Sequence, residues 1–476
     1  MRVSEYFKLN QDQPTLDFVN VDVNDDTEAF IDPRALRLLP SEWGNQCVSI
    51  IQDFFRKLLV DIKNDPDKAK KALMVLHEPN ETHLGFSGGK SRGKALGHDR
   101  ATLIWNSLIT SEAVKSGLLE DLEDTILMIE GIGPDIISDM TTNIIRSQLI
   151  SYTQEICAKL AISTEEVGSG PIWDHKNHFW TSYLVKLPTI SGRRLILVPK
   201  IIIRKKMDYD DGEYYNDYIL EYLKEVEMSA KSELVQLLKN KTMRVTKKSL
   251  KEKYGSGKKI IGDLTKKHPE ILDRYRRGKN LLPRKPLTQE EISEIEKIPE
   301  PNWEGLISRI EAIPTGTETS HDYEVAIEQL LSALFYPSLC SPNSQSILHE
   351  GRKRIDISYT NIITGSGFFS WVGSHYSAPN VFIECKNYGK EVGNPELDQL
   401  SGRFGPSRGQ FGILVCRKFE NKSLFITRCK DTAMDQRGYI IPLDDKDLRE
   451  LVDLRKNNDE KGIFDKLKST FDLIIM

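Results

Sequence analysis

The chain has 476 residues, 39% hydrophobic and 29% charged, with a formal net charge of −4. That length is too great for one ordinary core and points to about three units of roughly 150 residues each, while the composition excludes a disordered or low-complexity chain. No run reaches the roughly 18 uninterrupted apolar residues of a membrane helix, the segment at 195–206 being broken by Pro199 and Lys200, and the start MRVSEYFKLNQDQ lacks the apolar stretch of a signal peptide, so a cytoplasmic protein with no membrane partner is expected.

In chain order, residues 1–32 form an acidic, weakly periodic lead-in, read either as loosely ordered or as docked on another surface. Helical patterning follows: WGNQCVSIIQDFFRKLLVDI (43–62) repeats apolar residues at spacings of three and four, and further runs near 100–128 and 134–160 make 33–165 a mostly α-helical unit. Within it, GFSGGKSRGKALG (85–97) ends like a phosphate loop, but that loop requires a glycine at 84, where Leu84 stands. ILMIEGIGPDIISDM (126–140) reads first as two helices joined by a glycine turn, with DNA contact as the alternative.

The span 166–300 opens with WDHKNHFW, read as polar surface rather than a metal site, and FWTSYLVKLPTISGRRLILVPKIIIRKK (179–206), two β runs about a turn at Ser191-Gly192, a hairpin. It continues into a basic block: residues 229–286 carry 18 Lys plus Arg against 5 Asp plus Glu, a local +13 that leaves the remainder at −17. Such segregation suits contact with a polyanion, and a solvated helical linker would give the same count. The Pro- and charge-rich stretch 281–301 marks a boundary, after which 302–476 alternates helix and strand signals. The six cysteines (Cys47, Cys157, Cys340, Cys385, Cys416, Cys429) lack any CxxC pair and read as reduced thiols.

The chemistry concentrates in two strands of this last unit. In VFIECKN (381–387) alternation puts Val381, Ile383 and Cys385 on one face and Phe382, Glu384 and Lys386 on the other; in RIDISYT (354–360) it buries Ile355 and Ile357 and turns Arg354, Asp356 and Ser358 the other way. If the strands pair, Asp356, Glu384 and Lys386 converge. Two neighbouring carboxylates repel unless a cation neutralises them, and hard oxygen ligands suit Mg²⁺ or Mn²⁺, which polarises phosphodiesters and acidifies bound water.

An Asp on one strand followed by E-x-K on the next resembles the PD-(D/E)XK nuclease superfamily, and GRKRIDISY…VFIECKNY is similar to its Mrr-like restriction endonuclease catalytic domains, over roughly 305–440. The resemblance implies Asp356 and Glu384 as metal ligands, Lys386 as the group that positions water or stabilises charge, and Gln399 of NPELDQLSGRFG as a site-ordering donor. It also implies a glutamate on the preceding helix, for which HDYEVAIEQLL offers Glu324, with Glu328 as competitor. Asn394 and Pro395 read as the N-cap and first residue of the helix that carries Gln399. The 27 residues between Asp356 and Glu384 include Phe368, Phe369, Trp371 and Tyr376, read as local core, an extra strand among the options, ahead of a substrate-contact loop.

The fold expected is therefore α+β and multidomain: an α-helical N-terminal region, a central β-hairpin plus basic segment, and a C-terminal restriction-endonuclease-like α/β domain with a mixed sheet. The resemblance implies a Mg²⁺- or Mn²⁺-dependent endonuclease acting on double-stranded DNA in restriction or anti-phage defence, as a homodimer or higher homo-oligomer. Alternatives are a catalytically inactive or regulatory nucleic-acid-binding protein of nuclease fold, or a structure-selective or RNA-directed nuclease.

Overall fold

The computed structural model describes residues 1–85, 94–237, 243–348, 353–363 and 365–476. The expected helix at 43–62 spans Glu42–Asn64; the Ser41 hydroxyl caps it by accepting the Gly44 N–H at 3.0 Å, and Cys47, Ile50, Ile51, Phe54, Phe55 and Leu58 are buried along one stripe. The glycines at 131–133 make an interhelical turn, Gly131 at φ +78°, before the helix Pro134–Ile144, and the Lys258 ammonium donates to the Ile132 carbonyl at 2.6 Å. The phosphate-loop-like stretch falls, over 86–93, outside the described residues.

One hydrophobic core takes side chains from Val3 through Ile292, joined by Tyr336, Cys340 and Ile362 from further along the chain. The acidic lead-in therefore takes its docked form: Val3, Leu16, Phe18 and Val19 are buried, and Phe30–Ile31 pairs antiparallel with Ile203–Arg204. The expected long hairpin at 179–206 is not one ladder but parts of three. Phe179–Thr181 pairs with Ile172–Asp174, Leu184–Leu187 with Glu165–Gly168, and only Thr189–Ile190 and Arg193–Arg194 close around Ser191-Gly192, whose φ values are both positive. The apolar run after the turn, Leu195–Val198, is buried in the core, which is why it resembles a strand in sequence.

The basic block is not a linker. Its helices Lys247–Tyr254, Lys258–Lys267 and Glu270–Leu281 insert Leu250, Ile261, Leu264, Ile271, Leu272 and Tyr275 into the same core. Several of its cations are bound to the acidic remainder: Arg276 to fully buried Asp124 at 2.6 Å, Lys279 to Glu213 at 2.7 Å and Lys266 to Glu112 at 3.0 Å. The spans 33–165 and 166–300 thus pack as one body.

A second core begins at Trp303 and reaches Ile474. Here helices α1 (Trp303–Ala312) and α2 (Ser320–Phe335) precede strands β1 (Leu339–Leu348) and β2 (Lys353–Asn361), then helix α3 (Phe368–His375) and strand β3 (Asn380–Lys386). Helix α4 (Asn394–Ser401), strand β4 (Phe411–Cys416), helix α5 (Lys422–Met434), strand β5 (Tyr439–Asp444) and helices α6 (Asp445–Lys456) and α7 (Glu460–Ile475) complete it. The sheet order is β1-β2-β3-β4-β5, antiparallel up to β3 and parallel beyond, with α4 and α5 as the crossovers that parallel pairing requires. The protein is therefore α+β with a five-stranded mixed sheet near its C-terminus. Among the described residues no helix is long and apolar enough to cross a membrane.

The two bodies meet through apolar and polar contacts: Tyr336, Cys340 and Ile362 of the C-terminal unit are buried in the first core, the Lys159 ammonium lies 2.6 Å from Glu328 of α2, Asp17 accepts the Ser341 N–H at 3.0 Å, and the buried Lys200 ammonium sits 4.3 Å from the centre of the Tyr336 ring. Because Asp124 has no exposure, losing its partner strands a charge in the first core. We predict that Arg276→Met lowers unfolding free energy by about 3–5 kcal/mol, read as a reduced urea midpoint; an unchanged midpoint would mean that the basic helices do not share the first core.

Candidate active site

Strand β3 is central in its sheet and buried on both faces, so its polar residues face protein rather than water. The β2–β3 ladder pairs Ile357 with Ile383, and one step further along the same register Asp356 comes opposite Glu384. The Asp356 carboxylate also accepts the backbone N–H of Cys385 at 2.9 Å, which pins it to β3. The side chain of Arg354 lies outside the described residues.

Glu384 is 0% exposed and Lys386 8%. The Lys386 ammonium donates to Glu384 Oε1 at 2.6 Å and to the side-chain oxygen of Gln399 at 3.3 Å; the Gln399 amide nitrogen in turn donates to the same Glu384 oxygen. Gln399 thus bridges carboxylate and amine from α4. That helix begins one residue earlier than its sequence suggests: the cap position is Gly393, whose N–H is accepted by Glu396 at 2.8 Å, and Asn394 is already helical.

Glu384 Oε2 is buried and has no hydrogen-bond partner among the described residues. Burial, then the Asp356 charge, push the Glu384 carboxyl up to about 7 despite Lys386 and Arg403. Burial alone would lower the Lys386 ammonium, but the Glu384 charge and hydrogen bond outweigh it and hold the amine above its ordinary value, so it stays charged. Among the described residues no group of three or more His, Cys, Asp or Glu side chains is gathered for a metal. The pair Asp356 and Glu384 nevertheless fits Mg²⁺, which is commonly held by one or two carboxylates with waters and substrate oxygens filling the rest of its shell. The orphaned Glu384 oxygen is the atom such an ion would satisfy.

Glu324 lies half-buried on α2, its charge raising the Cys385 thiol together with burial and Asp356. Its competitor Glu328 is committed elsewhere, to Lys159 and to the Ser344 hydroxyl. Asn387, which sequence reasoning did not single out, ties the end of β3 to the loop before α2: its amide donates to the carbonyls of Pro314 and Gly316 and to the Thr319 hydroxyl, at 2.9, 3.2 and 2.9 Å. Its one legible signal was its place directly after the E-x-K triplet.

The aromatics between β2 and β3 are core, arranged as helix α3 rather than a strand. Phe368 and Phe369 are buried, and Trp371 and Tyr376 pack on Phe471 with ring centres 5.9 and 5.0 Å apart. At 174–178 the side chain of Asp174 accepts the Lys176 and Asn177 N–H groups, and His178 pairs with Asp53 at 3.1 Å, so these residues shape a turn.

The Glu384 shift gives a sign. A carboxyl whose folded pKa is raised from 4.5 to about 7 contributes stability below its unfolded value and loses it as pH rises through 7. A divalent ion on Asp356 and Glu384 offsets that loss only once the proton has left. Mn²⁺ should therefore raise the melting temperature more at pH 8 than at pH 6, and Glu384→Gln should abolish the difference; a variant that keeps the larger shift at pH 8 would remove these carboxylates from the metal site.

Residues 8–210 match the family model of a domain of unknown function, DUF8370, a span lying within the first core and short of the sheet that carries Asp356 and Glu384. No curated protein and no solved structure matches the chain.

Proposed function

We propose that this protein is a metal-dependent endonuclease that hydrolyses phosphodiester bonds of duplex DNA, its C-terminal unit being of the restriction-endonuclease-like, PD-(D/E)XK kind. The observation that carries the reading is the buried constellation of Asp356 opposite Glu384, with Lys386 and Gln399 on one Glu384 oxygen and nothing on the other. A charge network of this kind is costly to bury and has no packing advantage over apolar residues of similar volume. It makes sense as chemistry.

Mg²⁺ or Mn²⁺ held by Asp356 and Glu384 would polarise the scissile phosphate and lower the pKa of a bound water. Lys386 keeps a charged donor at the buried end of β3, fixed by Glu384 and Gln399, where it can orient the attacking water or stabilise charge on the phosphate. Gln399 sets the direction of both partners. Glu324 adds negative charge from α2, and Asn387 holds the loop leading into that helix. Exposed lysines on the helix Lys247–Tyr254 supply a surface for the phosphate backbone. Cutting both strands with one site per chain calls for two chains, so the active form is a homo-oligomer. The six cysteines are free and buried, which suits a reducing, cytoplasmic setting, and the setting proposed is defence against foreign DNA.

The test is cleavage of supercoiled and linear duplex DNA with Mg²⁺, Mn²⁺ or EDTA. Cutting is expected with either metal and absent in EDTA, and Lys386→Ala should lower the rate by at least about 100-fold. Gln399→Ala should cost less, because it orders the site without touching substrate. Metal-dependent cutting that survives Lys386→Ala would overturn the assignment, and cleavage confined to RNA or branched substrates would move it to another nuclease class.

A further inference from the structure

A cavity of about 870 Å³ opens where the two cores meet, walled by Lys206, Arg284 and Lys285 from the first body and by Tyr336, Lys461 and Phe464 from the second. Its lining holds seven Lys and Arg against three Glu. Two of those carboxylates are occupied: Glu460 by Arg455, and Glu291 by the Thr288 N–H at 2.9 Å, which it accepts at a helix start. Lys206, Arg284, Lys285 and Lys461 are all exposed, and among the described residues none has an ion pair or side-chain hydrogen bond. Four uncompensated cations around one space repel one another, and an anion between them removes that repulsion. Buried Arg204, at the back of the same wall, is lowered by its burial, against the charges of Asp32 and Asp208, with Arg284 the smallest contribution downward.

The rest of the wall is apolar. Phe464 is half-buried, and Trp303, Leu287 and Phe368 contribute side chains whose other faces belong to the two cores. Among the described residues the buried Tyr336 hydroxyl and Gln289 side-chain oxygen have no hydrogen-bond partner. A volume of this size lies in the range of small-molecule sites, about 300–1,000 Å³, and the combination of phosphate-binding cations with a flat apolar wall is the chemistry that recognises a phosphorylated base. The cavity is not the catalytic site. It takes Ile362 and Gly367, just beyond the end of β2, whereas Asp356 lies six residues back along that strand, about 20 Å at ~3.3 Å per residue.

We propose that this cleft binds a nucleotide, its phosphates on Lys206, Arg284, Lys285 and Lys461 and its base against the aromatic and aliphatic wall. A ligand seated there touches both bodies at once and closes the junction between them. The proposal does not depend on the endonuclease reading, because no group of the Asp356–Glu384–Lys386 site takes part.

The experiment is calorimetric titration of the full-length protein with each of the four ribonucleoside triphosphates, with tripolyphosphate, and with a five-nucleotide single-stranded DNA. At least one base-bearing probe should bind in the micromolar range and more tightly than tripolyphosphate, with affinity falling as salt rises. The preferred probe then tells a free nucleotide from a strand. Arg284→Glu combined with Lys285→Glu should weaken that binding by at least about tenfold while circular dichroism stays unchanged, since both side chains are exposed and unpaired. Lys386→Ala should bind as the wild type does, so loss of cleavage and loss of this site remain separate results. No binding of any probe at about 1 mM, binding indifferent to the charge reversal, or tripolyphosphate binding as tightly as every base-bearing probe would each overturn the proposal.

Discussion

Two carboxylates carried on adjacent strands into the interior of a sheet set the terms for everything around them. The β2–β3 register puts Asp356 opposite Glu384, and the position of β3 in the middle of five strands denies Glu384 any water. A like-charged pair in such a place is unfavourable by several kcal/mol unless protons or cations intervene. Lys386 and Gln399 answer for one Glu384 oxygen, and the Cys385 backbone N–H answers for Asp356. The second Glu384 oxygen has no answer among the described residues. The surrounding elements keep this imbalance in place: α4 delivers Gln399, and Asn387 secures the loop that leads into α2.

The first body solves an electrostatic problem of the opposite kind. An acidic chain with a strongly basic block uses much of that block internally, pairing Arg276 with Asp124, Lys279 with Glu213 and Lys266 with Glu112. Those pairs lie between segments far apart in sequence, so they join parts of the chain that sequence order separates. Other cations of the block, Lys259, Lys267, Arg274 and Arg277 among them, are exposed without an ion pair among the described residues, and so are its last two, Arg284 and Lys285, which line the cleft toward the second body. Glu328 contributes to the same junction from α2 by meeting Lys159, one helical turn from Glu324. The helix that reaches toward the candidate catalytic carboxylates is thereby also the helix that touches the first body.

The sequence alone was sufficient for the elements whose own periodicity defines them. The three- and four-residue spacing over 43–62 and the alternation in VFIECKN and RIDISYT are local properties, and the side-chain parity of a strand decides which of its residues share a face, whereas strand β1 and helices α1 and α3 went unread. Asp356, Glu384 and Lys386 were legible for that reason, each lying on a strand with a period, while Gln399 came only from the family resemblance.

Tertiary structure decided what has no local period. Leu195–Val198 reads as a strand because it is apolar, yet apolarity reports burial and not pairing, and the run is buried in a core outside any ladder. The acidic lead-in and the basic block look solvated by composition, but a few well-spaced apolar residues, Phe18 and Val19 in one and Ile261 and Ile271 in the other, were enough to draw both into the first core. Glu328 is taken up by Lys159, more than 150 positions away, a pairing that no spacing in the chain announces. The sequence determined the chemistry each strand can present; long-range charge pairing and the burial it permits decided which of those groups stand together, because such contacts leave no spacing in the chain to read.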